Sequence, residues 1–262
     1  MIFKRKVYDK LIEWKTLAAG TSAVLLEGAR RIGKSTIVEE FAKKEYDDYM
    51  ILDFARENQD VKNNFVENMN DLDTFFRNLF LLKGKRLKGK NCVIIFDEVQ
   101  LFPQARQAIK YLVADGRYEY IETGSLISIR KNVKDILIPS EEYRIKMYPM
   151  DFEEFLMAAG ETDLCDLLHQ PDWEILKILS LKYIDLLRQY YYVGGMPEVM
   201  DCFFQHQNLQ EVRDKQAEIL DAYRRDISKH TTPTESIRIG QVLQSLPSQL
   251  AKENKKFIYN VL

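Results

Sequence analysis

The chain has 262 residues, with 38 Lys plus Arg against 40 Asp plus Glu, a net charge of -2 and 46% hydrophobic residues. Near-neutral charge excludes a basic coat for nucleic acid or an acidic solvating tail, and 14 Phe, 14 Tyr and 2 Trp exclude a chain that never buries them. The longest apolar runs, such as Cys92 to Phe96, are far short of a spanning helix, and no apolar core follows the N-terminal basic residues. With no run long enough to span, no membrane association is expected; three widely spaced cysteines without a CxxC pair indicate neither a zinc site nor a disulfide framework, and a reducing, cytoplasmic setting is expected.

In chain order, an apolar run over Ser22 to Gly28 ends in glycine and leads through a polar turn into a helix from about Lys34 to Lys44. Further strand-like runs cover Tyr49 to Phe54, Asn91 to Glu98, Tyr118 to Ser125 and Tyr143 to Pro149. Between the third and fourth, Ala105, Ala108, Ile109 and Leu112 repeat at helical spacing. Strands alternating with helices predict an α/β fold with a mostly parallel sheet. From Asp151 onward the pattern turns helical: a helix capped by Asp151 and stopped by Gly160, then a long helix lined by Leu176 to Tyr190. After a break at Gly194 to Pro197 a helix runs from about Leu209 to Ile227, and His230 to Ser236 reads as a turn-rich boundary. A further helix carries Ile239 to Leu246, followed by a short one at PSQLAKEN.

Gly28-Ala29-Arg30-Arg31-Ile32-Gly33-Lys34-Ser35 fits GxxxxGK[ST] between a strand and a helix, with Thr36 next. Chance gives this pattern in a chain this long on the order of 1% of the time. The glycines let backbone N–H groups turn inward around a phosphate, Lys34 supplies a compact charge, and the Ser35 hydroxyl suits Mg²⁺. Val93 to Phe96 ends in Asp97 and Glu98, a carboxylate pair where ligands gather in open α/β sheets. Asp97 is placed to hold Mg²⁺ and Glu98 to orient an attacking water. Thr123 or Ser125 would face the γ-phosphate or that water; a glycine turn with a capping hydroxyl is the alternative. The run Lys83, Lys85, Arg86, Lys88 and Lys90 lacks aromatics and reads as a solvated loop, and His169, His206 and His230 share no ligand spacing.

These motifs, together with YPMDFEEFL, YYVGGMPEVM and YRRDISK, resemble a prokaryotic ATPase family of the AAA superfamily, close to the archaeal-type and signalling STAND NTPases. The resemblance implies a P-loop sheet of order 5-1-4-3-2 over residues 1–150, a helical lid over 151–230 and the start of a winged helix over 231–262. It implies ATP/ADP and Mg²⁺ as cofactors, with Gly28 to Thr36 binding nucleotide and Pro197 of a GxP motif reaching it from the lid. Lys34, Glu98, Thr123, Ser125 and Arg225 would serve catalysis, Arg225 beside Arg224 in the same subunit or a neighbour. Ser35 and Asp97 would serve the metal, and Arg5 and Tyr8 resemble a motif near the adenine. Many relatives of this kind carry a further nuclease-like domain, and the winged helix still needs its recognition helix and wing at Leu262, so a fragment of a longer protein is expected. A DNA or protein partner at that end and an oligomer fit the resemblance, with a nucleotide-gated switch or DNA tether of negligible turnover as the alternative function. A metabolite kinase is the third reading, disfavoured by the position of Glu98.

Overall fold

The computed structural model describes residues 2–125 and 140–251. Five parallel strands, β1 (Ala23–Gly28), β2 (Asp48–Asp53), β3 (Cys92–Asp97), β4 (Glu119–Ser125) and β5 (Glu142–Met147), lie side by side in the order β2-β3-β4-β1-β5. This is the expected order, read from the opposite edge. A sheet covered on both faces explains why β1 and β3 are near-continuous apolar runs rather than alternating ones.

Alternation still decides which face each residue serves. Val24, Leu26, Val93, Ile95 and Ile121 pack with α1 (Val7–Leu17) and α2 (Lys34–Glu45), where Leu11, Trp14 and Phe41 are fully buried. Leu25, Ile94, Phe96 and Tyr120 pack on the other face. There they meet α3 (Gln59–Glu67), α4 (Leu72–Lys83) and α5 (Pro103–Asp115) around Phe65, Phe75 and Leu112. Asn58 and Asp71 cap α3 and α4 by accepting backbone N–H bonds from Asp60 and Thr74. Lys83, the last residue of α4, pairs with Glu57 beyond β2, and the basic loop that follows is tied to the start of β2: Lys85 pairs with Asp48, and Asp47 accepts the N–H groups of Lys90 and Asn91.

The remaining described elements are helical: α6 (Phe152–Ala158), α7 (Thr162–His169), α8 (Trp173–Ile178), α9 (Ser180–Val193), α10 (Pro197–His206), α11 (Leu209–His230) and α12 (Pro233–Leu250). Asp151 and Glu154 form a reciprocal capping box at the start of α6. The expected single helix over Leu176 to Tyr190 is two, meeting at Leu179, whose ψ of 3° leaves the helical range although its N–H still bonds the Ile175 carbonyl at 2.9 Å and its carbonyl accepts the Tyr183 N–H at 3.0 Å. Of the expected separate helix at PSQLAKEN, Pro247 to Leu250 form the last turn of α12 and residues 252–254 lie outside the described residues; the turn-rich boundary shrinks to Thr231 and Thr232 before a second capping box. The chain divides into two compact units, Met1–Met200 and Asp201–Leu262. The second is built on α11 and α12.

Candidate nucleotide site

The register brings the polar strand ends together. Gly28 lies opposite Ser125 on one side and Met147 on the other, and Phe96 opposite Glu122 makes Asp97 and Thr123 the next step along β3 and β4. By alternation Asp97, Thr123 and Ser125 share the face on which α2 packs, at the C-terminal edge where the loop from Gly28 to Ser35 runs.

Gly28 is required by space: a Cβ there would meet the Met147 carbonyl oxygen at 2.4 Å. Gly33 is required by conformation, with φ at +88° just before α2, and Arg31 also takes a positive φ of 61°. No side chain caps the N-terminus of α2, so its orphan N–H groups and positive dipole end face the concavity of the loop. Ile32 is buried in the core behind the loop, whereas Ala29, Ser35 and Thr36 are exposed at its open side. Arg30 lies on the loop, half-buried. The Lys34 side chain folds over it, donating to the carbonyl oxygens of Gly28 at 3.2 Å and Ala29 at 2.7 Å. Burial pulls the Lys34 pKa below its ordinary value, while the nearby Glu98 and Asp97 oppose that pull.

Asp97 is the hub. Its Oδ1 accepts from the Ser35 hydroxyl at 2.9 Å and from the Thr123 hydroxyl, and the Thr123 oxygen in turn accepts the Glu98 N–H at 3.3 Å. Glu98 occupies a left-handed conformation with φ at 54°, a costly position for a non-glycine residue that swings its carboxylate off the strand line. Gln100, buried in the turn after Glu98, donates its amide to the Glu98 carboxylate and accepts the Ser125 N–H at 3.2 Å. Thr123 and Ser125 are thus both at the site but in different ways, one through its hydroxyl and one through its backbone.

Arg5 supports the loop from behind. Buried, it donates to the Ile32 carbonyl at 2.8 Å, the Tyr148 carbonyl at 2.7 Å and the Glu154 carboxylate at 3.1 Å. Tyr8 instead packs on Phe41 and bonds Glu45, toward the far end of α2 from the loop. From the helical segment, Pro197 comes close to Gly33, with its Cγ 3.7 Å from where a Cβ would stand, and Glu198 pairs with Arg31 at 3.5 Å. The Gly195 carbonyl accepts the Met150 N–H at 2.7 Å, which fixes the GxP turn against the end of the sheet domain. Arg225 lies on α11 in the second compact unit, exposed. Sequence reasoning gave no role to Gln100 or to Glu198; only Gln100 has a visible signal, a polar residue two places after the carboxylate pair.

An uncapped helix start, a loop whose glycines are demanded by space at 28 and by backbone angle at 33, a buried ammonium and a hydroxyl-carboxylate pair form a donor set that fits a nucleotide phosphate with Mg²⁺. A family model for a domain of unknown function matches residues 184–262. No curated protein matches the chain. A family model described as an AAA domain matches residues 20–156, just over half of the chain and all of β1 to β5, so the chain belongs to this AAA family of P-loop ATPases.

Proposed function

We propose that the protein binds ATP with Mg²⁺ between Gly28 and Thr36 and hydrolyses it slowly, coupling the phosphate state to the helices after Asp151. The observation that carries this reading is the Ser35–Asp97–Thr123–Glu98 network beside the buried Lys34. Lys34 exchanges its bonds to the loop carbonyls for phosphate oxygens, a gain for an ammonium already removed from water. Ser35 and Asp97 are the oxygen ligands that would hold Mg²⁺, which neutralises charge on the phosphates when bound. Glu98, held beside Lys34 and Asp97, orients the attacking water and draws its proton. Thr123 is a positioning residue for Asp97 and Glu98, and Gln100 ties Glu98 to Ser125. Pro197 and Glu198 stand against the loop, so a change at the phosphates is felt by the start of α10.

Single-turnover phosphate release with Mg²⁺ tests the reading, with Lys34→Ala as the control for the site. Hydrolysis above the solution background that the variant loses supports it; background hydrolysis in the wild type overturns it. A nucleotide-gated switch is the second reading, favoured by one observation: the Glu98 carboxylate already accepts from Gln100, which restrains it from a water. In that case ATP and ADP would bind with different affinities while turnover stayed at background. A DNA or protein partner at the C-terminal end and action of Arg225 across subunits belong to the same proposal and are tested by salt-dependent DNA binding and by mixing subunits.

A further inference from the structure

The sequence holds two Cys-x-x-x-His pairs, Cys165 with His169 on α7 and Cys202 with His206 on α10. At i, i+4 spacing a thiol and an imidazole stack on one helix face. In each case a glutamate from an adjoining helix completes a trio, Glu153 or Glu211, whose ligand atoms all lie within 4.8 Å of one another.

The first trio already has a cation. Lys6 pairs with Asp151 at 2.6 Å and with Glu153, and Cys165 is buried, which pushes its thiol pKa up. An ammonium seated on the carboxylate leaves little reason for a metal there.

The second trio is arranged differently. The ion-pair partner of Glu211 among the described residues is His206, whose Nδ1 lies against Glu211 Oε2. The neighbouring Asn208, the N-cap of α11, donates its amide to Glu211 Oε1 at 2.8 Å and fixes the carboxylate. Two residues join α10 to α11, and Gln207 turns the corner at φ 51°, a left-handed position that a non-glycine side chain adopts at a cost. That corner folds the first turn of α11 back over the face carrying Cys202 and His206. The side chains of His206 and Glu211 remain about half exposed, at 52% and 45%, so an ion can reach them.

We propose that Cys202, His206 and Glu211 bind one borderline-soft divalent cation of the zinc type, clamping the end of α10 to the start of α11. Sulfur, imidazole nitrogen and carboxylate oxygen form a donor set that zinc accepts and that hard ions such as Mg²⁺ and Ca²⁺ do not select. Tetrahedral bonds of about 2.0–2.3 Å place donors about 3.3–3.8 Å apart, within the 4.8 Å that spans the three ligand atoms. The Cys202 thiol proton, and any proton on His206, leaves to solvent as the metal binds. Three protein donors leave a fourth position for water or another ligand. The site lies within the segment matched by the domain of unknown function and outside the AAA match, so it is independent of the nucleotide proposal.

Cobalt titration of the reduced, metal-stripped full chain tests the proposal. Co²⁺ should produce a near-ultraviolet thiolate charge-transfer band that saturates at about one equivalent and is displaced by Zn²⁺. Cobalt at Ser35 and Asp97 would give no such band, since those ligands are oxygens. Cys202→Ser should abolish the band and His206→Ala weaken cobalt affinity by at least about tenfold, while Cys165→Ser and Cys92→Ser leave it unchanged. Circular dichroism of each variant confirms that it is folded. Absence of the band in the wild type, its survival in Cys202→Ser, or its loss in Cys165→Ser would overturn the assignment.

Discussion

Thr123→Val separates the two hydroxyl residues at the end of β4. Thr123 is fully buried, and valine keeps its volume while deleting the hydroxyl that donates to Asp97 and accepts the Glu98 N–H at 3.3 Å. A hydrogen bond to a charged acceptor is worth about 1.5–3 kcal/mol. If that bond positions Asp97 and Glu98 in the transition state, turnover falls roughly 10- to 150-fold, with ATP affinity changing much less. Ser125 contributes through its backbone N–H, bonded to Gln100 at 3.2 Å, and Ser125→Ala preserves that bond. Its turnover should stay within about threefold of the wild type. Steady-state phosphate release and nucleotide titration, run on both variants, provide the comparison. A Thr123→Val turnover within threefold of the wild type, or an equal loss in Ser125→Ala, would refute the positioning role.

Gly28→Ala should destabilise the sheet domain by about 1–3 kcal/mol, since its Cβ would press on the Met147 backbone at 2.4 Å and β1 and β5 must part. Gly240→Ala, in open space within α12, should stabilise by about 0.5–1 kcal/mol; thermal denaturation showing both variants alike would contradict the packing argument. Glu122 gives a pH signature. Burial, with the neighbouring charge of Glu142, raises its pKa well above the ordinary value of 4.5, against the pull of Arg106. The folded state then holds a proton that the unfolded state has released, so stability falls as pH rises from about 4.5 through the raised value. Glu122→Gln removes this titration and should gain on the wild type as pH rises; a stability difference flat from pH 4 to 8 would show that Glu122 is not held neutral.

The parts of the molecule legible in the sequence are those where a local pattern carries its own chemistry. Gly28 to Ser35 announces the phosphate loop because only glycine fits at 28 and 33, and the apolar runs of β1 and β3 end directly in functional residues. Helices α3 and α4 were within reach through their Asn58 and Asp71 caps, yet α3 buries Asn64, whose amide bonds the Phe75 carbonyl, and a buried polar residue blurs the apolar stripe. The break at Leu179 lies in the backbone angle of one residue, and helical periodicity runs through it unchanged. Gln100 and the Arg5 prop act through contacts made only after the chain has folded, one across a turn and the other across 149 residues to Glu154. The Cys202–His206–Glu211 trio escaped for a geometric reason: its spacing belongs to a helix face and a corner, not to a CxxC knuckle.

The central claim is that Glu98 activates water on a nucleotide held by the phosphate loop, and Glu98→Gln tests it most directly. The amide keeps the side chain's size and its contact with Gln100 while removing the charge that draws the proton. With Mg²⁺ and ATP, the variant should bind nucleotide as tightly as the wild type while phosphate release falls by about 10²- to 10⁴-fold. Undiminished phosphate release from Glu98→Gln would contradict the account.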